Sequence, residues 1–235
     1  MRRPLPVVAA FVCAIGCGGA WADSIRGLLP VGAVHEGQVP LGRATVPLPP
    51  GKWTVTAFKE TRSDHNNVIS EVTLSSIQNG RYQGFVSIRT NQDPARNGWQ
   101  PYAFCSRKDV YFIQLDANYK HEEACWGINH QRMEETSKYR PDEGRNSRQV
   151  VADAGLAMPK TMIATHMRVA SSGWFVTYDI FLNPTYFGFG DEGANWASNP
   201  WHKDLIARDP RKVNFMEQLR SRHAPIYAAL RSTFQ

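Results

Sequence analysis

Apolar and polar residues alternate with a period of two in several segments, which is the pattern of a half-buried β-strand. The alternation begins at Trp53, directly after residues 47–51, whose three prolines and final glycine favour a turn. Residues 68–77 and 82–90 show the same pattern on either side of Asn79-Gly80. Because Asn-Gly is typical of a type I′ turn, this region predicts a β-hairpin.

Three further segments predict strands. Residues 110–115 form a compact apolar run, and residues 161–170 and 174–182 flank Ser171-Ser172-Gly173 in a second predicted hairpin. Since hairpins join neighbouring strands, the sheet is expected to be largely antiparallel.

Two segments predict helices. Residues 148–157 have apolar positions at near-helical spacing and end before Pro159. A second helix is expected to begin at Asp209-Pro210, because aspartate caps free N–H groups and proline suits the first helical position. Pro225 is expected to end or kink this helix. Its apolar stripe has three-residue spacing: Val213, Met216 and Leu219. The fold class is therefore α+β, a mainly antiparallel sheet with packed helices that include a C-terminal one.

The first residues have the pattern of a secretory signal peptide. Arg2 and Arg3 precede a short apolar run over residues 5–15, and Ala20-Trp21-Ala22 supplies a small-residue cleavage site. We therefore expect a signal peptide at 1–22 and a single α+β domain at 23–235, with no transmembrane segment. The predicted location is the periplasm or the exterior.

Cys17 offers an alternative interpretation of the same segment. Residues 14–17, Ala-Ile-Gly-Cys, resemble a bacterial lipoprotein box, with alanine where leucine is usual. In that case Cys17 would be lipidated and the protein anchored to a membrane.

Cleavage after Ala22 leaves two cysteines, Cys105 and Cys125. In an oxidising compartment they predict a disulfide, worth roughly 3 kcal/mol in the chain-entropy model. The sequence has no Cys-x-x-Cys motif that would favour redox chemistry.

Charge is concentrated near the C-terminus. The chain has a formal charge of +6, and residues 1–22 contribute two arginines and no acid, which leaves +4. Residues 201–235 contain seven basic and three acidic residues and so carry this entire excess. A basic helical segment of this kind favours an anionic envelope component or an acidic protein partner, while an exported protein without an aromatic–basic motif is not expected to bind nucleic acid. Residues 23–51 form an extended lead rich in proline and glycine.

His166 and Asp179 are candidates for acid–base chemistry. His166 would share a strand face with Ala164 and Arg168, and Asp179 lies within an otherwise apolar strand. Counted outward from the turn at 171–173, the two residues lie at unequal distances, so the hairpin register is not expected to force them opposite each other. No nucleophile elbow, phosphate loop or dinucleotide motif is present.

His121 and His130 are weak candidates for metal binding. A zinc protease needs two histidines a helical turn apart, whereas these are separated by nine positions. The alternative is a solvated, charged loop inside the predicted disulfide ring. No cofactor is predicted.

A segment rich in aromatic residues follows the last predicted strand. Loops presented by a rigid sheet often carry function, and aromatic side chains stack on sugars or anchor protein partners. The alternative is that these rings cap an open end of the sheet. The predicted binding residues of this segment and the basic helix are Tyr186, Phe187, Phe189, Trp196, Trp201, Arg208, Arg211 and Lys212.

The signal peptide, the segment Leu-Pro-Pro-Gly-Lys-Trp at 48–53 and the β-rich body resemble exported proteins of Gram-negative bacteria that have no assigned activity. The favoured hypothesis is a non-enzymatic periplasmic protein that binds an envelope component or a protein partner through the aromatic loop and the basic helix. The alternative is an envelope hydrolase that uses His166 and Asp179, or a metal held by His121 and His130. The oligomeric state is not predicted.

Overall fold

The computed structural model describes residues 25–42, 45–119, 121–133, 139–193 and 195–234. The predicted signal peptide and Cys17 lie outside these residues.

Within the described residues the strands form one nine-stranded antiparallel sheet. The strand order is β1-β2-β3-β4-β9-β8-β6-β5, and the short β7 pairs with β2. The strands are β1 Val34–Pro40, β2 Thr45–Arg62, β3 Val68–Gln78, β4 Arg81–Asn91, β5 Phe112–Tyr119, β6 Glu122–Arg132, β7 Glu143–Gly144, β8 Thr161–Ala170 and β9 Phe175–Leu182. The predicted antiparallel sheet is confirmed, and strand outweighs helix.

In the part of the chain that the structure describes, three α-helices and three short 3-10 helices accompany the sheet. The α-helices are α1 Ile25–Leu28, α2 Ser147–Asp153 and α3 Pro210–Phe234, and the 3-10 helices are Ala103–Ser106, Pro184–Phe187 and Ile206–Arg208.

Both predicted hairpins are present. Asn79 and Gly80 join β3 to β4 with φ values of 51° and 69°, the positive φ pair of a type I′ turn. The second turn differs from the prediction, because Ala170 pairs with Phe175 and the turn therefore spans residues 171–174. Including Trp174 makes the two arms of the hairpin equal in length.

Strands β1 and β6 were not predicted from the sequence. The segment from His121 to Glu123 was expected to lie in a charged loop inside the disulfide ring, but residues 122–132 form a strand that pairs with β5 and β8. The charge at the start of β6 is accommodated because Glu123 is buried beside Arg168. The lead segment supplies β1, which forms the edge of the sheet beside β2.

The turn expected at 47–51 is instead a bulge within β2. The β1 pairing passes from Glu36–Lys52 to Gln38–Pro47, so residues 48–51 project from the ladder. Prolines have no N–H to donate to a ladder, which favours this excursion. The Trp53 indole N–H donates to the carbonyl of Pro49 at 2.8 Å and holds the bulge against the core.

Helix α3 covers one face of the sheet. The Asp209 carboxylate accepts the N–H of Arg211 at 3.0 Å, as expected for a capping residue before Pro210. Met216 and Leu219 are buried against the strands. The helix continues through Pro225 to Phe234, contrary to the predicted end at this residue. Pro225 is exposed, so the carbonyl that loses its intrahelical donor there can bond to water.

The predicted disulfide is confirmed. Cys105 and Cys125 are bonded, and the bridge ties the Ala103–Ser106 helix to the middle of β6.

Replacing Cys105 and Cys125 together by serine is expected to lower the free energy of unfolding by about 3 kcal/mol, because the unfolded chain regains the entropy of an open loop. Urea denaturation of the variant and of the wild type measures the difference. Wild-type protein with dithiothreitol should unfold at the same urea concentration as the double variant. An unchanged midpoint in both experiments would contradict the expected contribution of the bridge.

Candidate functional site

The sheet face not covered by α3, here called the outer face, carries charged residues on its central strands. Cross-strand pairing aligns them in two adjacent rows across β3, β4, β9, β8 and β6, and successive residues of each strand alternate between this face and the core. One row is Thr73, Ser87, Asp179, His166 and Gly127, and the next is Glu71, Arg89, Thr177, Arg168 and Cys125.

His166 and Asp179 lie directly opposite each other in the β8–β9 hairpin. The register expectation was therefore wrong, because the turn contains four residues. The His166 Nδ1 and Asp179 Oδ1 atoms are 2.9 Å apart, and the side chains are only 11% and 17% exposed. An Nδ1–H held by a carboxylate leaves Nε2 as the basic atom of the neutral ring.

Tyr102 completes this group from the loop before the Ala103–Ser106 helix. Its hydroxyl donates to Asp179 Oδ1 at 3.3 Å and lies 3.4 Å from His166 Nδ1. Burial, together with the charge of Asp179, raises the pKa of Tyr102, so the phenol remains protonated. The backbone N–H of Tyr102 donates to the Glu123 carboxylate at 3.0 Å, which anchors the loop to β6.

Phe104, in the Ala103–Ser106 helix that follows this loop, packs over the histidine. Its ring centroid is 4.4 Å from that of His166. A Cβ atom on Gly127 would lie 2.9 Å from this phenyl ring and 2.4 Å from a backbone oxygen, so only glycine at 127 lets the loop approach so closely.

Arg168 is a buried cation on the outer face. Its Nη1 donates to the Thr177 hydroxyl at 3.0 Å, its Nε is 3.4 Å from Glu123, and its guanidinium lies 4.2 Å above the Phe175 ring centre. Burial lowers its pKa to about 10, against the opposing effect of Glu123. Arg168 therefore remains charged at neutral pH.

Two cavities meet at the centre of the outer face, and together we call them the outer groove. Their volumes are about 630 and 540 Å³, and both are lined by Glu71, Ser87 and Asp179. The first extends toward Phe85 and Phe181, whose rings stack at 4.2 Å. The second extends toward the Trp99–Phe175 pair, with ring centres 4.4 Å apart. The groove therefore has a charged centre with aromatic walls on both sides.

Burial raises the pKa of the Glu71 carboxyl, and the nearby Asp179 adds to this effect. Arg89 and Lys59 oppose it, as does the Ser87 hydroxyl, which is 3.5 Å from Glu71 Oε1. Glu71 was not predicted as a site residue, although it is the single carboxylate of its strand, as Asp179 is of β9. Tyr102 gave no such signal, because it lies in a loop.

The aromatic residues predicted to bind a partner lie on the α3 side of the sheet. Trp201 is fully buried, and its ring contacts Phe189 and Phe215. Phe187 also packs against Phe215. These rings close the core beneath the loop, so the prediction that all of them form a binding surface is wrong for Trp201.

The remaining predicted binding residues have different environments. Trp196 stacks on His130, with ring centres 3.9 Å apart, and Tyr186 packs against Arg81. Lys212 is buried and bonded to the Glu192 carboxylate at 2.7 Å, so it is not available to a partner. Arg208 and Arg211 are exposed.

The two candidate metal ligands are far apart. His121 precedes β6 and packs against Gly98, whereas His130 lies near the other end of the strand. Nine residues of extended chain span about 30 Å, so these imidazoles cannot hold one metal ion. Burial lowers the pKa of His130 to about 4, and its Nε2 is 3.2 Å from the carbonyl oxygen of Trp196.

Comparisons with known protein families, with curated proteins and with solved structures find no match to this chain. Among the described residues, no helix is both long enough and apolar enough to cross a membrane.

The electrostatics of Glu71 lead to a pH-dependent prediction. Because its pKa is higher in the folded than in the unfolded chain, stability falls as the pH rises between these two values. Glu71→Gln removes the cost of ionisation, so the variant should have a higher urea midpoint than the wild type at about pH 8.

At about pH 3.5, where wild-type Glu71 is protonated, that advantage should disappear. Glu36→Gln, which alters an exposed carboxylate of β1, is the matched control and should show no such pH dependence. A Glu71→Gln variant less stable than the wild type at both pH values would contradict the interpretation.

Proposed function

We propose that the protein is an exported, periplasmic binding protein that holds an oligosaccharide in the outer groove. The charged centre of the groove, where Glu71 and Asp179 line both cavities, carries this proposal. The signal-peptide pattern and the disulfide support export. The proposed surface differs from the aromatic loop and basic helix favoured by the sequence.

The lining chemistry suits a polyhydroxylated ligand. Carboxylates accept hydrogen bonds from sugar hydroxyls, and the exposed Arg89 can donate to hydroxyl or ring oxygens. The rings of Trp99 and Phe85 provide apolar surface on either side, suited to the C–H faces of sugars.

Charges of both signs line the groove, which favours a ligand of low net charge. Five arginines and three carboxylates line the two cavities: Arg62, Arg89, Arg132, Arg148, Arg168, Asp64, Glu71 and Asp179. A polyanion would meet repulsion from Glu71 and Asp179, which line both cavities, and a polycation would meet repulsion from the arginines on either side. Since two cavities adjoin, the groove has room for more than one sugar unit.

The test is a binding panel of four neutral or acidic tetrasaccharides: chitotetraose, cellotetraose, maltotetraose and tetragalacturonate. We expect at least one neutral member to bind in isothermal titration calorimetry. Glu71→Gln and Arg89→Ala should each weaken its binding about tenfold or more, because each removes a hydrogen bond to a charged group.

Glu36→Gln and Arg208→Ala are the matched controls, since both alter exposed charges outside the groove. Their affinity should equal that of the wild type. Absence of binding to all four sugars, or binding unaffected by both groove variants, would refute the proposal.

A second candidate function is hydrolysis of the bound sugar. The observation that favours it is the 2.9 Å contact between His166 Nδ1 and Asp179, which would make Nε2 the ring atom that takes a proton from an attacking water. Glu71, whose pKa is raised, would be the proton donor to the leaving oxygen.

If the protein is a hydrolase, His166→Asn should lower kcat by about a hundredfold or more while the affinity for the sugar is retained. Release of reducing ends from the tetrasaccharide that binds measures this. Asp179→Asn tests the same dyad, and His65→Asn, which changes an exposed histidine, is the control. Undiminished turnover in both dyad variants, or no turnover by the wild type, would eliminate this candidate.

A further inference from the structure

A separate cavity lies on the opposite side of the sheet, between α3, the 48–51 bulge and the end of β9. We call it the helix-side cavity. Its volume is about 480 Å³, within the range of small-molecule sites. Its apolar walls come from four elements or segments of the chain: Leu48, Leu182, Phe187, Leu219 and Ile226.

The polar side chains at the cavity are largely bonded to each other. Gln83 donates to the carbonyl of Pro50 at 3.1 Å and accepts from Gln78 at 2.6 Å. The Ser76 hydroxyl donates to the same Gln83 oxygen at 2.9 Å. A Cβ atom on Gly51 would lie 2.0 Å from the Gln78 nitrogen, so this network depends on the glycine. These polar groups are already hydrogen-bonded to one another. An apolar part of a ligand can therefore occupy the cavity and leave few of them unpaired.

His223 lines the cavity without adding charge at neutral pH. Its Nδ1 is 2.8 Å from the Thr165 hydroxyl, and burial lowers its pKa to about 4.

The charged side chains at this cavity are basic. Arg222 is exposed and lines both the helix-side cavity and a neighbouring one of about 330 Å³, which Arg211 also lines. Phe187 lies between the two and lines both. Among the described residues that line them there is no Asp or Glu. An apolar interior with guanidinium groups beside it is complementary to a ligand with an apolar chain and an anionic head.

We propose that the helix-side cavity binds a single-chain anionic amphiphile, with its alkyl chain between Leu182 and Ile226 and its anionic group at Arg222. The proposal is independent of sugar binding, because the outer groove lies on the other face of the sheet.

The experiment uses the neutral dye N-phenylnaphthylamine, whose fluorescence increases in apolar cavities, and laurate below its micellar concentration as competitor. The wild type should bind the dye, and laurate should displace it. Arg222→Glu should bind the dye as the wild type does but require about tenfold more laurate for displacement, because a charge-assisted contact is lost.

Two variants control for charge and for site. Arg208→Glu makes the same charge change at an exposed position that lines neither cavity, and it should behave like the wild type. Leu219→Phe places a larger side chain in the cavity and should abolish dye binding, with a circular-dichroism melt to show that the protein is folded. Glu71→Gln should leave both ligands unaffected, which separates this site from the outer groove.

Dye binding that laurate does not displace, or equal displacement in the wild type and Arg222→Glu, would overturn the proposal. Retained dye binding by folded Leu219→Phe would place the dye elsewhere and overturn it too. Co-sedimentation with phosphatidylglycerol vesicles in the absence of laurate displacement would instead assign the arginines to a membrane surface.

Discussion

The outer face of the sheet depends on the loop that the Cys105–Cys125 disulfide holds against β6. This loop carries Tyr102 to the His166–Asp179 pair and Phe104 to the space above Gly127. Without the loop, the charges on β8 and β9 would lie on an open sheet face and be more exposed to water. The bridge therefore both restricts the unfolded chain and lowers the solvent exposure of the charged site.

The fold tolerates charged side chains in this partly buried part of the outer face because they are paired. Arg168 is paired with Glu123 and donates a hydrogen bond to Thr177. The Asp179 carboxylate accepts hydrogen bonds from Tyr102 and His166. An unpaired charged side chain buried to the same depth would destabilise the fold by several kcal/mol, or its pKa would shift until the neutral form prevailed. Among these charged groups, Glu71 has the weakest pairing, since Arg89, Lys59 and Ser87 do not offset its burial. Its pKa is raised as a consequence.

The two faces of the sheet present different chemistry. The outer groove is charged and flanked by aromatic rings, whereas the helix-side cavity is apolar with arginines beside it. Strand alternation produces this separation, since neighbouring residues such as Thr165 and His166 point to opposite faces. One sheet can thus carry two sites that do not share a side chain.

Local patterns in the sequence were sufficient for several elements. Asn79-Gly80 specifies its turn because both residues accept positive φ, and Asp209-Pro210 starts a helix because it satisfies free N–H groups. The pairing of the two remaining cysteines followed from their number and the predicted compartment. The turn and the helix cap each involve residues that are close together in the sequence. The two cysteines allow only one pairing.

Other features were decided by contacts between distant segments. Residues 122–132 form a strand between β5 and β8, and the charge at its start is accommodated because Glu123 contacts Arg168 and Tyr102, which are distant in the sequence. Trp201 is buried in the core, where its ring contacts Phe215 of α3. One additional residue in the 171–174 turn brought His166 opposite Asp179. The sequence alone therefore determined the sheet type, two hairpins and the main helix. Only the tertiary structure decided which charged residues meet, because their partners are distant in the chain and register depends on the geometry of a single turn.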